Sequence, residues 1–84
     1  MTAQAGSKES NDCLVTIKKS DQTKIHIDSI VGHLFYDQIL KTVEDTLKEE
    51  GVDSVEVTIE DKGALDYTIR ARLMVAIRRM RKDV

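Results

Sequence analysis

The sequence predicts an α+β fold: one small domain of order β-β-α-β-α, a three-stranded mixed sheet with two helices packed on one face. Three observations predict it. Segments 13–18, 24–28 and 55–60 alternate apolar and polar residues with the period of a half-buried strand. Two longer segments repeat apolar residues at the three-to-four spacing of amphipathic helices. Finally, 84 residues with 40% hydrophobic content suit a single core.

The elements follow in chain order. Residues 1–10 are small and polar without apolar periodicity, and read as a flexible tail. In the first strand Cys13, Val15 and Ile17 point inward, while Leu14 interrupts an otherwise polar outer face. Ser20-Asp21-Gln22 is turn-forming. Lys24-Ile25-His26-Ile27-Asp28 alternates cleanly, so the first two strands read as an antiparallel hairpin. Asp28 or Ser29 can cap the helix that follows. Its apolar stripe runs through Val31, Phe35, Ile39, Val43 and Leu47, widened by Leu34 and Leu40. Gly51 supplies the left-handed residue that commonly ends a helix. Val55, Val57 and Ile59 face inward from the third strand, and Asp61-Lys62-Gly63 turns the chain. From Ala64 the spacing is helical again, with Leu65, Ile69, Leu73, Ala76 and Met80 on one side and Ile77 widening it. Helices on one face of a sheet bury all these stripes. If the second and third strands are parallel neighbours, the first helix is their crossover.

Few residues offer catalytic chemistry. His26 and His33 are the only histidines and have no metal-ligand spacing, so no metal site is expected. Cys13 is the only cysteine, which excludes an internal disulfide and a CxxC cluster, and no basic neighbour in sequence activates its thiol. No phosphate-binding glycine motif occurs. The chain therefore reads as no autonomous enzyme. A net charge of -2 argues against a general nucleic-acid binder. The absence of a signal-like start or a long apolar run points to the cytoplasm, with no membrane association.

Charge is distributed unevenly. Residues 37–61 are strongly acidic, whereas the last helix carries Arg70, Arg72, Arg78, Arg79, Arg81 and Lys82. Basic residues in a final turn complement the helix dipole. Arg70 and Arg72 lie too early for that, and are candidates for docking a phosphate or a partner, or for pairing with Asp61 or Asp66.

Two stretches carry a resemblance. Asp61-Lys62-Gly63-Ala64-Leu65-Asp66, followed by Arg70-Ala71-Arg72-Leu73, is similar to the DKGALD…RARL signature of citrate lyase acyl carrier (gamma) subunits. Gly6-Ser7-Lys8-Glu9-Ser10-Asn11-Asp12 resembles that family's G-[ST]-x-E-S-x-D segment. The likeness spans about residues 6–76. It departs at Tyr67, where the family usually has cysteine, at Asn11, where serine is frequent, and in ending at Val84 without a tryptophan-bearing tail.

The resemblance implies a non-catalytic carrier. Ser10 would bear a covalently attached 2'-(5''-phosphoribosyl)-3'-dephospho-CoA whose thiol carries acetyl and citryl groups while citrate is cleaved to oxaloacetate and acetate. The implied partners are the alpha (acyl transferase) and beta (citryl lyase) subunits and a prosthetic-group transferase. Residues 1–10 would be the tail holding the attachment serine, and residues 11–84 the carrier domain. Related readings are a carrier for malonate decarboxylase or citramalate lyase. A separate one is a small interaction module that docks through its basic final helix.

Overall fold

Alternation and helical spacing resolve into six elements. The computed structural model describes residues 2–82; Met1, Asp83 and Val84, the ends of the expected tail and carrier domain, lie outside the described residues. The strands are β1 (Thr2–Gly6), β2 (Cys13–Lys19), β3 (Lys24–Ser29) and β4 (Val55–Asp61), and the helices are α1 (Gly32–Glu49) and α2 (Asp66–Lys82).

The sheet has four strands in the order β1-β2-β4-β3, one more than expected. The additional strand is β1, which occupies part of the segment read as a flexible tail. It pairs antiparallel with β2 from Thr2↔Lys18 to Gly6↔Leu14, and it buries Ala3 and Ala5. Its alternation is carried by alanines, which are poor strand formers, so the periodicity is faint in the sequence.

The hairpin expected between the first two strands of the sequence reading, β2 and β3 here, is also replaced. β4 lies between β2 and β3, antiparallel to the first and parallel to the second. Residues 20–23 step across the end of β4. Ser20 N–H donates to Ser54 O at 2.9 Å, and Ser54 N–H donates to Thr23 Oγ1 at 3.0 Å. With a parallel β3–β4 pair, α1 is the crossover between them, as the sequence suggests.

Both helices pack on one face of the sheet, α2 over β1 and β2 and α1 over β3. Val15, Ile17, Val57, Ile59, Ile69, Leu73 and Ile77 are fully buried between the layers. Thr46 is buried on α1 and satisfies its hydroxyl by donating to Thr42 O at 2.7 Å. Gly51, at φ +65, ends α1 in a Schellman arrangement: Val52 N–H reaches Leu47 O and Gly51 N–H reaches Lys48 O. The outer sheet face is polar. Gln4 bonds Thr16 there, and Glu56 meets both Lys18 and His26.

Some expected core residues are not in the core. Leu34 and Phe35 on α1 are exposed, as is Leu65 just before α2. The apolar stripe records which side of each helix faces inward, but not where its cover ends.

Candidate functional site at the β1–β2 hairpin

The strand registers place four segments at one end of the molecule. Cys13 opens β2 opposite Asp61, the last residue of β4, and Ser29 at the end of β3 pairs with the same Asp61. Residues 7–12, residues 62–65 and the N-termini of both helices therefore share that end.

Ser10 lies at the tip of the β1–β2 hairpin. Asp12 N–H donates to Glu9 O at 3.1 Å, closing a four-residue turn with Ser10 at its first corner and Asn11 at its second. Asn11 has φ 65, a left-handed position that asparagine tolerates better than most residues. Ser10 is exposed there. The expectation of a serine within a mobile tail is corrected to a serine on a built turn.

Three groups hold that turn through one carboxylate. Asp12 accepts from Ser7 Oγ at 2.7 Å and from Cys13 N–H at 2.7 Å. It also accepts from Arg72 Nε at 3.1 Å and Arg72 Nη2 at 3.2 Å, a two-pronged pair joining residues sixty positions apart. The Arg72 bonds, with those from Ser7 and Cys13, pull the Asp12 carboxyl from 3.8 down to about 2. Asp12 is thus held ionised with its oxygens occupied, and makes a poor base for the neighbouring Ser10 hydroxyl. Gly6 begins the loop with φ 93. A Cβ there would sit 1.9 Å from Cys13 O and 3.2 Å from Arg72 Cδ, so only glycine fits.

The other side of the unit is the turn after β4. Asn11 N–H donates to Lys62 O at 2.9 Å, and Lys62 N–H donates to Asp12 O at 2.9 Å. Buried Asp61 fixes that turn by accepting from Ala64 N–H at 2.8 Å and Ser29 Oγ at 2.7 Å. Ser29 in turn receives Val31 N–H at 3.1 Å, but the N-cap position of α1 is Val31, without a side-chain cap, so the capping expected of Asp28 or Ser29 is not found. The two sequence blocks that carry the resemblance are thus opposite walls of one structure, tied together by Arg72.

Arg70 does not join it. It pairs with Glu49 at the end of α1. Neither arginine meets Asp61 or Asp66, because Asp61 is engaged by its own turn and Asp66 accepts from Gln38 at 2.6 Å. Arg79 donates to Gln4 O, and Arg81 donates to Glu50 O, so much of the basic helix is used to fasten α2 to its neighbours. Cys13 is fully buried, and burial, aided by the nearby Asp12 and Asp61 charges, pushes its thiol up to about 11. His26 lies on the polar sheet face 2.8 Å from Glu56, and His33 is exposed near the start of α1. Sequence reasoning singled out Ser10 for attachment and Arg72 for docking, but did not single out Asp12 and Ser7, which shape the loop. The G-[ST]-x-E-S-x-D pattern was the available signal, since its second and last positions, Ser7 and Asp12, bond one another.

Comparison with known proteins places the chain in a family. Residues 1–80 match the ACP family, described as malonate decarboxylase delta subunit (MdcD), which sets the chain among acyl carrier proteins. A citrate lyase acyl carrier protein of Treponema denticola is 47% identical over 77 residues, covering 92% of this chain and 88% of that protein. One from Streptococcus mutans is 48% identical over 80 residues, covering 93% and 78%. The chain belongs to the citrate lyase acyl carrier protein family. Its fold is shared by a chain of a Pseudomonas malonate decarboxylase hetero-tetramer in complex with malonate. That match has a TM-score of 0.79 at 18% identity and covers 94% of this chain and 82% of the other.

Proposed function

We propose that this chain is the acyl carrier subunit of a citrate lyase complex, with Ser10 as the attachment point of a 2'-(5''-phosphoribosyl)-3'-dephospho-CoA group. The observation that carries the proposal is the convergence of both motif blocks on the Ser10 turn. Gly6, Ser7, Asp12, Asp61 and Arg72 hold the backbone on either side of this serine and leave the serine itself exposed.

The residues fit the group in three respects. Ser10 stands at a hairpin corner, where a modifying enzyme can reach its hydroxyl. Asp12 is committed to Arg72, so its carboxylate is not free to act as base, and the transferase supplies that chemistry. The clamp makes the anchor rigid, so motion is left to the arm. When bound, the group supplies a thiol on a long tether that holds acyl groups as thioesters. Tethering raises the effective concentration of the acyl group at each partner's active site without adding a contact. The partners in this reading are the alpha and beta lyase subunits and the prosthetic-group transferase, in the cytoplasm. No helix among the described residues is long and apolar enough to cross a membrane.

Reconstitution tests the proposal. Carrier co-expressed with its attachment enzymes should restore citrate cleavage when added to alpha and beta subunits, and Ser10→Ala carrier should restore none. Restoration of malonate decarboxylase subunits instead would assign the chain to that system. Activity from Ser10→Ala carrier would remove Ser10 from the mechanism.

A further inference from the structure

Of the large apolar side chains exposed among the described residues, three gather around one groove, whereas Ile30, Leu34 and Tyr36 lie outside its lining. Phe35, Leu65 and Tyr67, at 46%, 60% and 70% exposure, lie at the Ser10 end of the molecule. Phe35 and Tyr67, with Val31, Ala64 and Leu65, line a groove of about 470 Å³ between the first turns of α1 and α2. Gly63 also lines it, and a Cβ at Gly63 would lie 3.6 Å from Asn11 Oδ1. The groove thus reaches the residue next to Ser10.

Its polar groups restrict what it can hold. They are Gln38 and Asp66, which bond one another at 2.6 Å, and Asp61, whose carboxylate is already used within its own turn. No lysine or arginine lines it. A phosphate or a citryl carboxylate placed there would meet Asp66 without a cation to offset it. A flat, neutral, aromatic group suits it: two aromatic side chains offer stacking surfaces, and the Gln38 amide can both donate to and accept from a base edge.

We infer that this groove seats the adenine of the Ser10-linked prosthetic group. The inference rests on the attachment reading above. Adenine is the neutral aromatic part of that group, and only a phosphate and a pair of linked riboses separate it from the serine. Seating it beside the anchor fixes the near half of the arm and leaves the pantetheine half free to reach partner active sites. The phosphates stay outside, in water.

The test uses the whole carrier, loaded by its attachment enzymes and checked by intact mass and peptide mapping, compared with unloaded carrier by NMR. In carrier modified at Ser10, adenine protons should shift upfield and show contacts to Phe35 and Tyr67. Amide changes should extend from residues 7–13 into residues 63–67. Phe35→Ala and Tyr67→Ala, both at exposed positions, should remain modified on Ser10 but lose those contacts and return the adenine signals to their free positions. Adenine signals at free positions in loaded wild-type carrier, with changes confined to residues 7–13, would overturn the inference while leaving Ser10 attachment intact. So would a groove that is perturbed only when partner subunits are added, which would make it a protein contact. Modification mapped away from Ser10 would overturn both.

Discussion

Gly6→Ala is expected to unfold the β1–β2 hairpin or to destabilise the domain by about 3 kcal/mol or more. Two costs combine. A left-handed backbone position occupied by a non-glycine residue costs about 1–3 kcal/mol. In addition, the new Cβ would lie 1.9 Å from Cys13 O, a backbone atom that cannot swing aside like the end of a flexible side chain. Relief requires residues 7–12 to move, which pulls Ser7 N–H off Cys13 O, now at 3.0 Å, and disturbs Arg72 against the same glycine. Urea unfolding measures the loss. Gly51→Ala is the control, because its φ is also positive but a Cβ there meets nothing within 4 Å. It should cost about 1 kcal/mol from backbone strain alone. Equal effects at the two positions would show that the close approach to Cys13 does not constrain the loop.

The second large effect is expected at the Asp12–Arg72 pair. Asp12→Ala removes the acceptor shared by Ser7, Cys13 N–H and Arg72, and should cost about 2–3 kcal/mol. Arg72→Ala leaves the other two bonds in place and should cost less than Asp12→Ala, since the guanidinium is half exposed and screened by solvent. The pH dependence follows from the direction of the Asp12 shift. Its folded pKa, about 2, lies below its ordinary value of 3.8, so the ionised form stabilises the fold. That stabilisation is fully present above the ordinary value and is lost as pH falls through about 2. The stability gap between wild type and Asp12→Ala should therefore be constant near neutrality, narrow as pH drops below 3.8 and go on narrowing as pH falls through about 2. A gap that widens on acidification would contradict the pairing.

These two effects concern the feature the sequence conceals best. Inward and outward residues of β2, β3 and β4 were legible, because alternation reports burial directly. So were α1, its glycine stop, and the parallel pair it bridges. Position within the sheet was not legible. The order of strands depends on how residues 20–23 cross β4, and that rests on bonds to Ser54, more than thirty residues from Ser20. β1 was missed because alternating alanines bury little area and look like any small-residue tail. Phe35 and Leu65 were assigned to the core because a helical stripe continues past the point where its cover stops.

For the site, the residue types in the two blocks were legible but their purpose was not. Arg72 looked like a docking group because its partner lies in the other block. The contact with Asp12 depends on β2 running antiparallel to β4, so that both blocks arrive at the same end of the sheet. Arg70, two residues earlier, points to Glu49 on α1 instead. Neighbours in a motif therefore serve different elements here. One clamps the loop that holds Ser10, and the other joins the helices.

The central claim is that this clamped turn exists to present Ser10. It is tested most directly by intact-mass measurement of the protein co-expressed with its attachment enzymes, followed by peptide mapping of the modified residue. The account expects a single dephospho-CoA-derived adduct on Ser10, absent from Ser10→Ala, with the variant as stable as wild type. An adduct on Ser7 or elsewhere, or one that persists in Ser10→Ala, would contradict it.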